Sequence, residues 1–159
     1  MTTVTPVEPD ATPRLRIGEA AAQAGMSTRT LRYYQELGLL TPSGTTAGGA
    51  RRYSDADVAR LHRIGHLRDL VGFNLTEIGV VLSAEDRLAE IRREWWAGLP
   101  PARRRELLHE AIAINADLQD AVRTKMAGLH EFLAGLVDRA DSMSRRLAEV
   151  DGADLLAGS

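Results

Sequence analysis

The chain has 159 residues, of which 44% are apolar and 26% charged, a composition typical of one or two small folded domains. It has no cysteine, which excludes disulfides, thiolate metal sites, iron–sulfur clusters and cysteine nucleophiles. The sequence contains no run of about 18 apolar residues, so no membrane span is predicted. The first 13 residues lack the basic and apolar regions of a signal peptide, so we expect a cytoplasmic protein.

The formal net charge of −2 conceals an uneven distribution along the chain. Residues 14–82 carry nine basic and six acidic residues, whereas residues 107–159 carry five basic and nine acidic ones. A mildly basic front half joined to an acidic back half indicates two different tasks. This balance argues against a uniformly basic nucleic-acid coat, but it is compatible with a local basic patch.

The front half begins with a predicted flexible tail over residues 1–13, where three prolines lie among threonine and valine. A small-residue helix follows and ends at Gly25, and Ser27 then caps a second helix over residues 28–37. Two short helices joined by a three-residue turn with glycine predict a helix-turn-helix. Arginine and threonine on the second helix suit phosphates and base edges, but these residues alone favour an ordinary helical hairpin equally.

Residues 41–53 predict a β-hairpin wing, because glycine, proline and serine lie between short polar strands. Ser54 then caps a third helix, with Asp57 in a capping-box position, and Gly72 ends it. A fourth short helix is expected over residues 75–82.

Four short motifs of the head occupy residues 17–21, 25–40, 51–54 and 72–78, within residues 15–82. In order and spacing they resemble the motifs of the MerR family of transcription regulators. The resemblance implies a winged helix-turn-helix that binds a DNA palindrome as a dimer, and that bends and untwists promoter DNA so that RNA polymerase uses poorly spaced elements. The implied contacts are Thr28, Arg29, Arg32 and Tyr33 on the recognition helix, and Arg51, Arg52 and Tyr53 on the wing, the latter to phosphate.

From Leu108 onward the apolar residues follow a heptad period for about six heptads, which predicts a coiled coil over residues 107–151. Of its 13 seam positions two are polar, Asn115 and Gln119. A helix of this length spans about 65 Å, so burying its stripe requires a second copy of the chain. The resemblance implies that the two helices pair antiparallel. The predicted dimerisation residues are Val122, Met126, Leu129, Leu133, Leu136, Met143 and Leu147.

Residues 83–106 form a predicted junction, with a short charged helix, the pair Trp95 and Trp96, and a break at Pro100 and Pro101. The two tryptophans are interpreted first as packing anchors. In the other interpretation they line a pocket for a hydrophobic small-molecule effector at a hinge that rotates the heads. A second tail is expected over residues 152–159.

The sequence therefore predicts a mainly α protein, with a winged helix-turn-helix head over residues 14–82 and a long dimerisation helix in an antiparallel coiled coil. The predicted function is sequence-specific binding of double-stranded DNA by a homodimer that regulates transcription and affects RNA polymerase indirectly. The alternative is a nucleoid-type architectural protein, for which more basic and fewer acidic residues than this chain has are expected. No catalytic constellation indicates an enzyme, and neither a cofactor nor a metal site is predicted, since His62 and His66 lack a third ligand.

Overall fold

The structure is a computed structural model that describes residues 9–157, and the chain divides into two units, residues 1–90 and 91–159. Helices predominate, which confirms the predicted class. No helix within residues 9–157 is long and apolar enough to cross a membrane. The elements in chain order are α1 (Ile17–Gln23), α2 (Thr28–Glu36), β1 (Gly44–Thr45), β2 (Arg51–Arg52), α3 (Asp55–His66), a π-helical turn (Leu67–Val71), α4 (Leu75–Trp95) and α5 (Pro101–Ala157).

The turn between α1 and α2 forms as its residues predict. Gly25 has a φ of +65°, a left-handed conformation that favours glycine at the end of a helix. The Ser27 hydroxyl accepts a hydrogen bond of 3.0 Å from the backbone N–H of Thr30, which satisfies one of the free donors of α2. Ala20 and Leu31 are fully buried, so the two helices contribute to the core of the head.

The predicted wing is a short two-stranded hairpin. β1 pairs antiparallel with β2, with Gly44 opposite Arg52 and Thr45 opposite Arg51. The chain continues from β2 into a single bridge between Leu15 and Tyr53, in which the Leu15 N–H donates to the Tyr53 carbonyl at 2.8 Å. This bridge joins the base of the wing to the segment that enters α1.

The buried carboxylate of Asp57 links the wing to α3. It accepts hydrogen bonds from the backbone N–H and the hydroxyl of Ser43, at 3.1 and 2.7 Å, and from the backbone N–H of Ser54 at 2.9 Å. The Ser54 hydroxyl accepts in return from the Asp57 N–H, which confirms the predicted capping box. One side chain therefore fixes both the start of α3 and the entry into the hairpin.

Part of the predicted flexible N-terminal tail is held against the head in the structure. Residues 1–8 lie outside the described residues, but Asp10 is held against α3, since its carbonyl accepts a hydrogen bond of 3.0 Å from the Ala56 N–H. Arg14 donates to the carboxylates of both Asp10 and Asp55. Residues 10–13 are thus tied to the head. The hydrogen bonds offset the conformational entropy that this segment loses when it becomes ordered.

The fourth helix is longer than predicted. α4 continues through residue 82 and through the charged segment expected to be a separate helix, and it ends at Trp95. Residues 80–96 contain neither glycine nor proline, so nothing in that segment ends a helix. The boundary between the two units therefore falls inside the predicted junction of residues 83–106, within a continuous helix.

In the second unit, α5 is a single helix of 57 residues. It begins at Pro101, within the predicted break and before the predicted coiled coil, because proline suits the first helical position. It runs to Ala157, so most of the predicted second tail is helical, and residues 158 and 159 lie outside the described residues. Arg103 donates to Glu94 at 3.2 Å and to Glu106 at 3.1 Å, which ties the ends of α4 and α5 together.

We expect Asp57→Ala to lower the free energy of unfolding by about 1–3 kcal/mol, because it leaves several buried donors without an acceptor. Asp86→Asn is the matched control, since the exposed pair between Asp86 and Arg60 stabilises little. Urea denaturation followed by circular dichroism measures both. Equal losses in the two variants would contradict the structural role of Asp57.

Candidate nucleic-acid interface

The helix α2 exposes one polar face and buries the other. Leu31 and Tyr34 are 0% and 2% exposed and anchor α2 in the core. The four residues predicted to contact DNA from this helix all lie exposed on its outer side; they are Thr28, Arg29, Arg32 and Tyr33. Ser27 and the helix periodicity decide this orientation, because they fix where α2 begins and which side chains turn inward.

Two open grooves flank this exposed face, and Arg32 lines both of them. The first groove, of about 810 Å³, runs along α2 and also includes Arg29, Tyr33 and Arg68. The second groove, of about 550 Å³, lies between α2 and the wing and also includes Arg16, Arg51 and Arg52. The structure thus brings arginines of the predicted recognition helix and of the wing together along two grooves that share Arg32.

The arginines of the head differ in whether they have ionic partners. Arg60 and Arg63 pair with Asp86 and Glu85, at 2.8 and 3.0 Å, and these pairs connect α3 to α4. Within the part of the chain that the structure describes, no carboxylate lies within ion-pair distance of the arginines at positions 29, 32 and 52. Their charge is therefore available to an anionic ligand, and phosphate is the anion that guanidinium groups bind in fork geometry.

The wing is tied to α2 through a polar chain. Arg51 donates to the side-chain oxygen of Gln35 at 2.6 Å, and the Gln35 amide nitrogen donates to the Tyr53 hydroxyl at 2.6 Å. Gln35, which sequence reasoning did not single out, therefore sets the position of the wing relative to the recognition helix.

The predicted phosphate contact from Tyr53 does not agree with this structure. Tyr53 is 0% exposed, and Gln35 donates to its hydroxyl, so the side chain has no surface to offer a phosphate. Tyrosine after the two arginines is better interpreted as the core residue that anchors the return strand. Arg51 and Arg52 are the wing residues at the surface, Arg51 exposed and Arg52 half-buried.

Arg68 is a further cationic residue of the first groove that the sequence patterns did not reveal. Its guanidinium donates to the buried Tyr34 hydroxyl at 2.7 Å and to both carboxylate oxygens of Asp69, at 2.6 and 2.9 Å. The hydrogen bonds from Arg68 hold the pKa of Asp69 below its usual value, and Asp69 raises the pKa of Arg68. Only the tertiary packing brings this side chain beside α2, since 34 residues separate it from Tyr34.

The second unit presents the predicted dimerisation residues on an exposed face. All seven are between 41% and 67% exposed in the single chain, whereas Leu107, which lies outside the predicted seam, is fully buried. The structure also separates the two tryptophans. Trp95 packs under the guanidinium of Arg104, at 5.5 Å from the ring centroid, whereas Trp96 is 81% exposed.

The element order and the hairpin define the class of fold of the head, a winged helix-turn-helix. The model of the MerR HTH family of regulatory proteins matches residues 15–85. The HTH-type transcriptional activator TipA of Streptomyces coelicolor is 45% identical over 80 residues, which are 49% of this chain and 31% of TipA. YfmP, an HTH-type transcriptional regulator of Bacillus subtilis, is 28% identical over 130 residues, which are 80% of this chain and 93% of YfmP.

A crystal structure of a MerR family transcriptional regulator from Listeria monocytogenes shares the fold, with a TM-score of 0.55 and 20% identity over 87% of this chain and 92% of that chain. Over residues 15–85, the head of this chain is therefore similar to the MerR HTH family of regulatory proteins. The chain spans about a third of the length of TipA.

We expect Arg32→Ala and Arg52→Ala to weaken DNA binding in different ways. Losing a phosphate contact from Arg52 weakens all sequences about equally and flattens the plot of log K against log salt by about 0.9. If Arg32 reads a base, its loss costs about 1–3 kcal/mol on the preferred sequence and less on random DNA. Fluorescence anisotropy at several salt concentrations measures both effects.

The control for these variants is Arg63→Ala, which removes an arginine already paired with Glu85. It should leave the affinity for DNA and its salt dependence unchanged. Equal losses on preferred and random DNA for both test variants would contradict the different roles of α2 and the wing.

We expect Asp69→Asn to tighten DNA binding, because it releases the Arg68 guanidinium from its carboxylate beside the groove. One additional phosphate contact steepens the salt dependence by about 0.9 in the same plot. Asp86→Asn is the control, since it releases Arg60, which lines neither groove. Unchanged or weaker binding by Asp69→Asn would show that Arg68 does not reach DNA.

Proposed function

We propose that the chain forms a homodimer that binds a palindromic promoter element and regulates transcription by distorting the DNA. The observation that carries this proposal is the cluster of unpaired arginines at positions 29, 32 and 52, on two grooves around one exposed helix. Other arginines of the head, such as Arg60 and Arg63, are engaged in ion pairs between α3 and α4. We therefore assign the three unpaired arginines to the binding of an external anionic ligand, double-stranded DNA.

The exposed face of α5 supports the homodimer. A stripe of large apolar side chains remains in contact with water along the helix in the single chain, including Leu129, Leu133 and Leu136 at 43–57% exposure. Burying such a stripe releases about 25 cal/mol per Å² of apolar surface. The heptad period fits a second helix of the same pattern, as in a coiled coil. Two linked heads would then read the two halves of a palindrome.

Regulation through DNA shape is what the similarity of the head to the MerR HTH family implies. In this proposal the dimer bends and untwists the promoter, so that RNA polymerase is affected through the geometry of the DNA. TipA, which is similar to the head of this chain, is a transcriptional activator by name.

A footprint separates this proposal from the nucleoid-type alternative. DNase I digestion of a genomic fragment that includes the DNA upstream of the protein's own gene should show one discrete protected palindrome at low protein concentration. Uniform protection that spreads with concentration would support an architectural protein. A circular permutation assay on the protected site then measures the bend, and unbent DNA would exclude the distortion mechanism.

We expect the double variant Leu129→Asp and Leu136→Asp to be monomeric and to lose operator binding. Placing carboxylates in an apolar seam costs several kcal/mol, because two charges lose water without gaining a partner. Sedimentation velocity measures the oligomeric state, and Thr124→Asp, on the other side of α5, serves as the control. A double variant that stays dimeric would remove the coiled-coil seam from the proposal.

The junction hosts the proposed effector site, and its two tryptophans provide the test. Trp96 is exposed and available to an apolar compound, while Trp95 is engaged with Arg104. A hydrophobic effector should quench tryptophan fluorescence and change operator affinity, and Trp96→Phe should abolish both responses. Quenching without any change in affinity would reduce both tryptophans to packing residues.

A further inference from the structure

The N-terminal arm, residues 10–14, lies against the first strand of the wing. A Cβ added at Gly44 in β1 would lie 2.9 Å from Cγ and 3.0 Å from Cβ of Pro13. Carbon atoms in contact are ordinarily about 3.5–4.0 Å apart. Gly44 does not have a positive φ, so its backbone conformation is open to other residues. The close approach of Pro13 is therefore what requires glycine at position 44.

The ring of Pro13 cannot turn aside as the end of a flexible side chain could. It is closed onto the backbone nitrogen, and it fixes φ. On one side of Pro13, the backbone N–H of Arg14 donates to the Tyr53 carbonyl at 3.0 Å. On the other side, the Asp10 carbonyl accepts a hydrogen bond of 3.0 Å from the Ala56 N–H. Pro13 is therefore held in place by hydrogen bonds before and after it.

The first turn of α3 anchors both the arm and the wing. Asp55 accepts a hydrogen bond from the arm through its carboxylate, and the next residue donates one to the arm through its backbone N–H. Asp57 accepts a hydrogen bond of 2.7 Å from the hydroxyl of Ser43, the residue before β1. Since three successive residues of one helix hold both segments, the arm and β1 cannot shift independently.

The position of β1 also determines where Arg52 lies. Gly44 is directly opposite Arg52 in the register of the hairpin. Arg52 is half-buried and lines the groove between α2 and the wing, together with Arg32. A two-stranded hairpin is marginally stable by itself, so contacts from outside the hairpin are needed to fix its place.

We infer that the N-terminal arm is a structural part of the proposed DNA-binding head, and that Pro13, packed on Gly44, sets the position of the wing and with it the guanidinium of Arg52. The inference rests on the DNA binding proposed above and adds a positioning residue to it. Pro13 does not contact DNA in this proposal, because it acts through the pair of strands. The arm precedes residues 15–85, so the family model does not account for this contact.

Salt does not release the arm, which matters for a test that varies salt. The ion pairs of Arg14 with Asp10 and Asp55 are exposed, and exposed pairs contribute little and are screened. The hydrogen bonds between backbone groups of the arm, Tyr53 and α3 remain. A change in salt dependence therefore reports on contacts to DNA.

Gly44→Ala tests the inference, because the added methyl group displaces either the arm or the wing. It should weaken binding to preferred and random DNA by about the same factor as Arg52→Ala, and flatten the plot of log K against log salt by about 0.9. In an Arg52→Ala background it should change neither quantity. Fluorescence anisotropy measures both. Unchanged binding by Gly44→Ala, or a further flattening in the Arg52→Ala background, would overturn the positioning of Arg52 by Pro13.

Pro13→Gly removes the ring and provides a second background. The effects of Gly44→Ala on affinity and on the free energy of unfolding should disappear there, because the added methyl group has space. Gly48→Ala is the matched control. Gly48 belongs to the same hairpin, has no positive φ, and a Cβ there would lie 3.9 Å from the nearest atom, the Thr46 hydroxyl oxygen. Its effects should be equal in both backgrounds. Equal effects of Gly44→Ala in both backgrounds would overturn the contact.

The results separate this inference from the proposed function. A wild-type chain that binds no DNA overturns the proposed function, whereas DNA binding without coupling between positions 13 and 44 overturns only the inference. Urea denaturation followed by circular dichroism measures the same coupling without DNA. If Gly44→Ala alone does not fold, recovery of its helicity on adding Pro13→Gly supports the contact, and failure to recover in a background that folds overturns it.

Discussion

The amount of apolar surface that α5 cannot bury against its own chain is the constraint on which the other features depend. Residues such as Leu129, Leu133 and Leu147 are more than half exposed along a helix of 57 residues. Water around this much apolar surface is unfavourable, and large exposed patches mark interaction sites. In the proposed homodimer, the partner helix that covers the stripe also sets how many heads bind DNA together, so the second unit would determine how the first is used.

The head uses arginine in two ways. Some arginines form ion pairs between helices, and others remain available for binding at the surface. Arginines on α3 are neutralised by carboxylates of α4, whereas, among the described residues, no carboxylate lies within ion-pair distance of Arg29, Arg32 or Arg52. Gln35 and Asp57 hold the wing in place with hydrogen bonds rather than with a large core. A small hairpin has little apolar surface to bury, so polar links of this kind are needed to fix its position.

The tyrosines of the head illustrate how burial separates similar residues. Tyr33 and Tyr34 are adjacent, yet Tyr33 is 48% exposed and Tyr34 is buried with Arg68 on its hydroxyl. Tyr53 follows two surface arginines and is nevertheless completely buried. Tyrosine suits both positions because its ring is apolar and its hydroxyl needs a partner. Residue type alone therefore does not distinguish a surface tyrosine from a core tyrosine.

The sequence by itself determined the features that depend on local chemistry and periodicity. Ser27, Gly25 and the Ser54–Asp57 pair specify helix ends through hydrogen bonds within a few residues, and the heptad period specifies which side of α5 is apolar. The tertiary structure alone decided which side chains meet across long separations. It placed Arg68 beside α2, buried Tyr53, tied Asp10 to α3 and showed α4 as one helix, because these outcomes depend on packing between segments that local patterns do not encode.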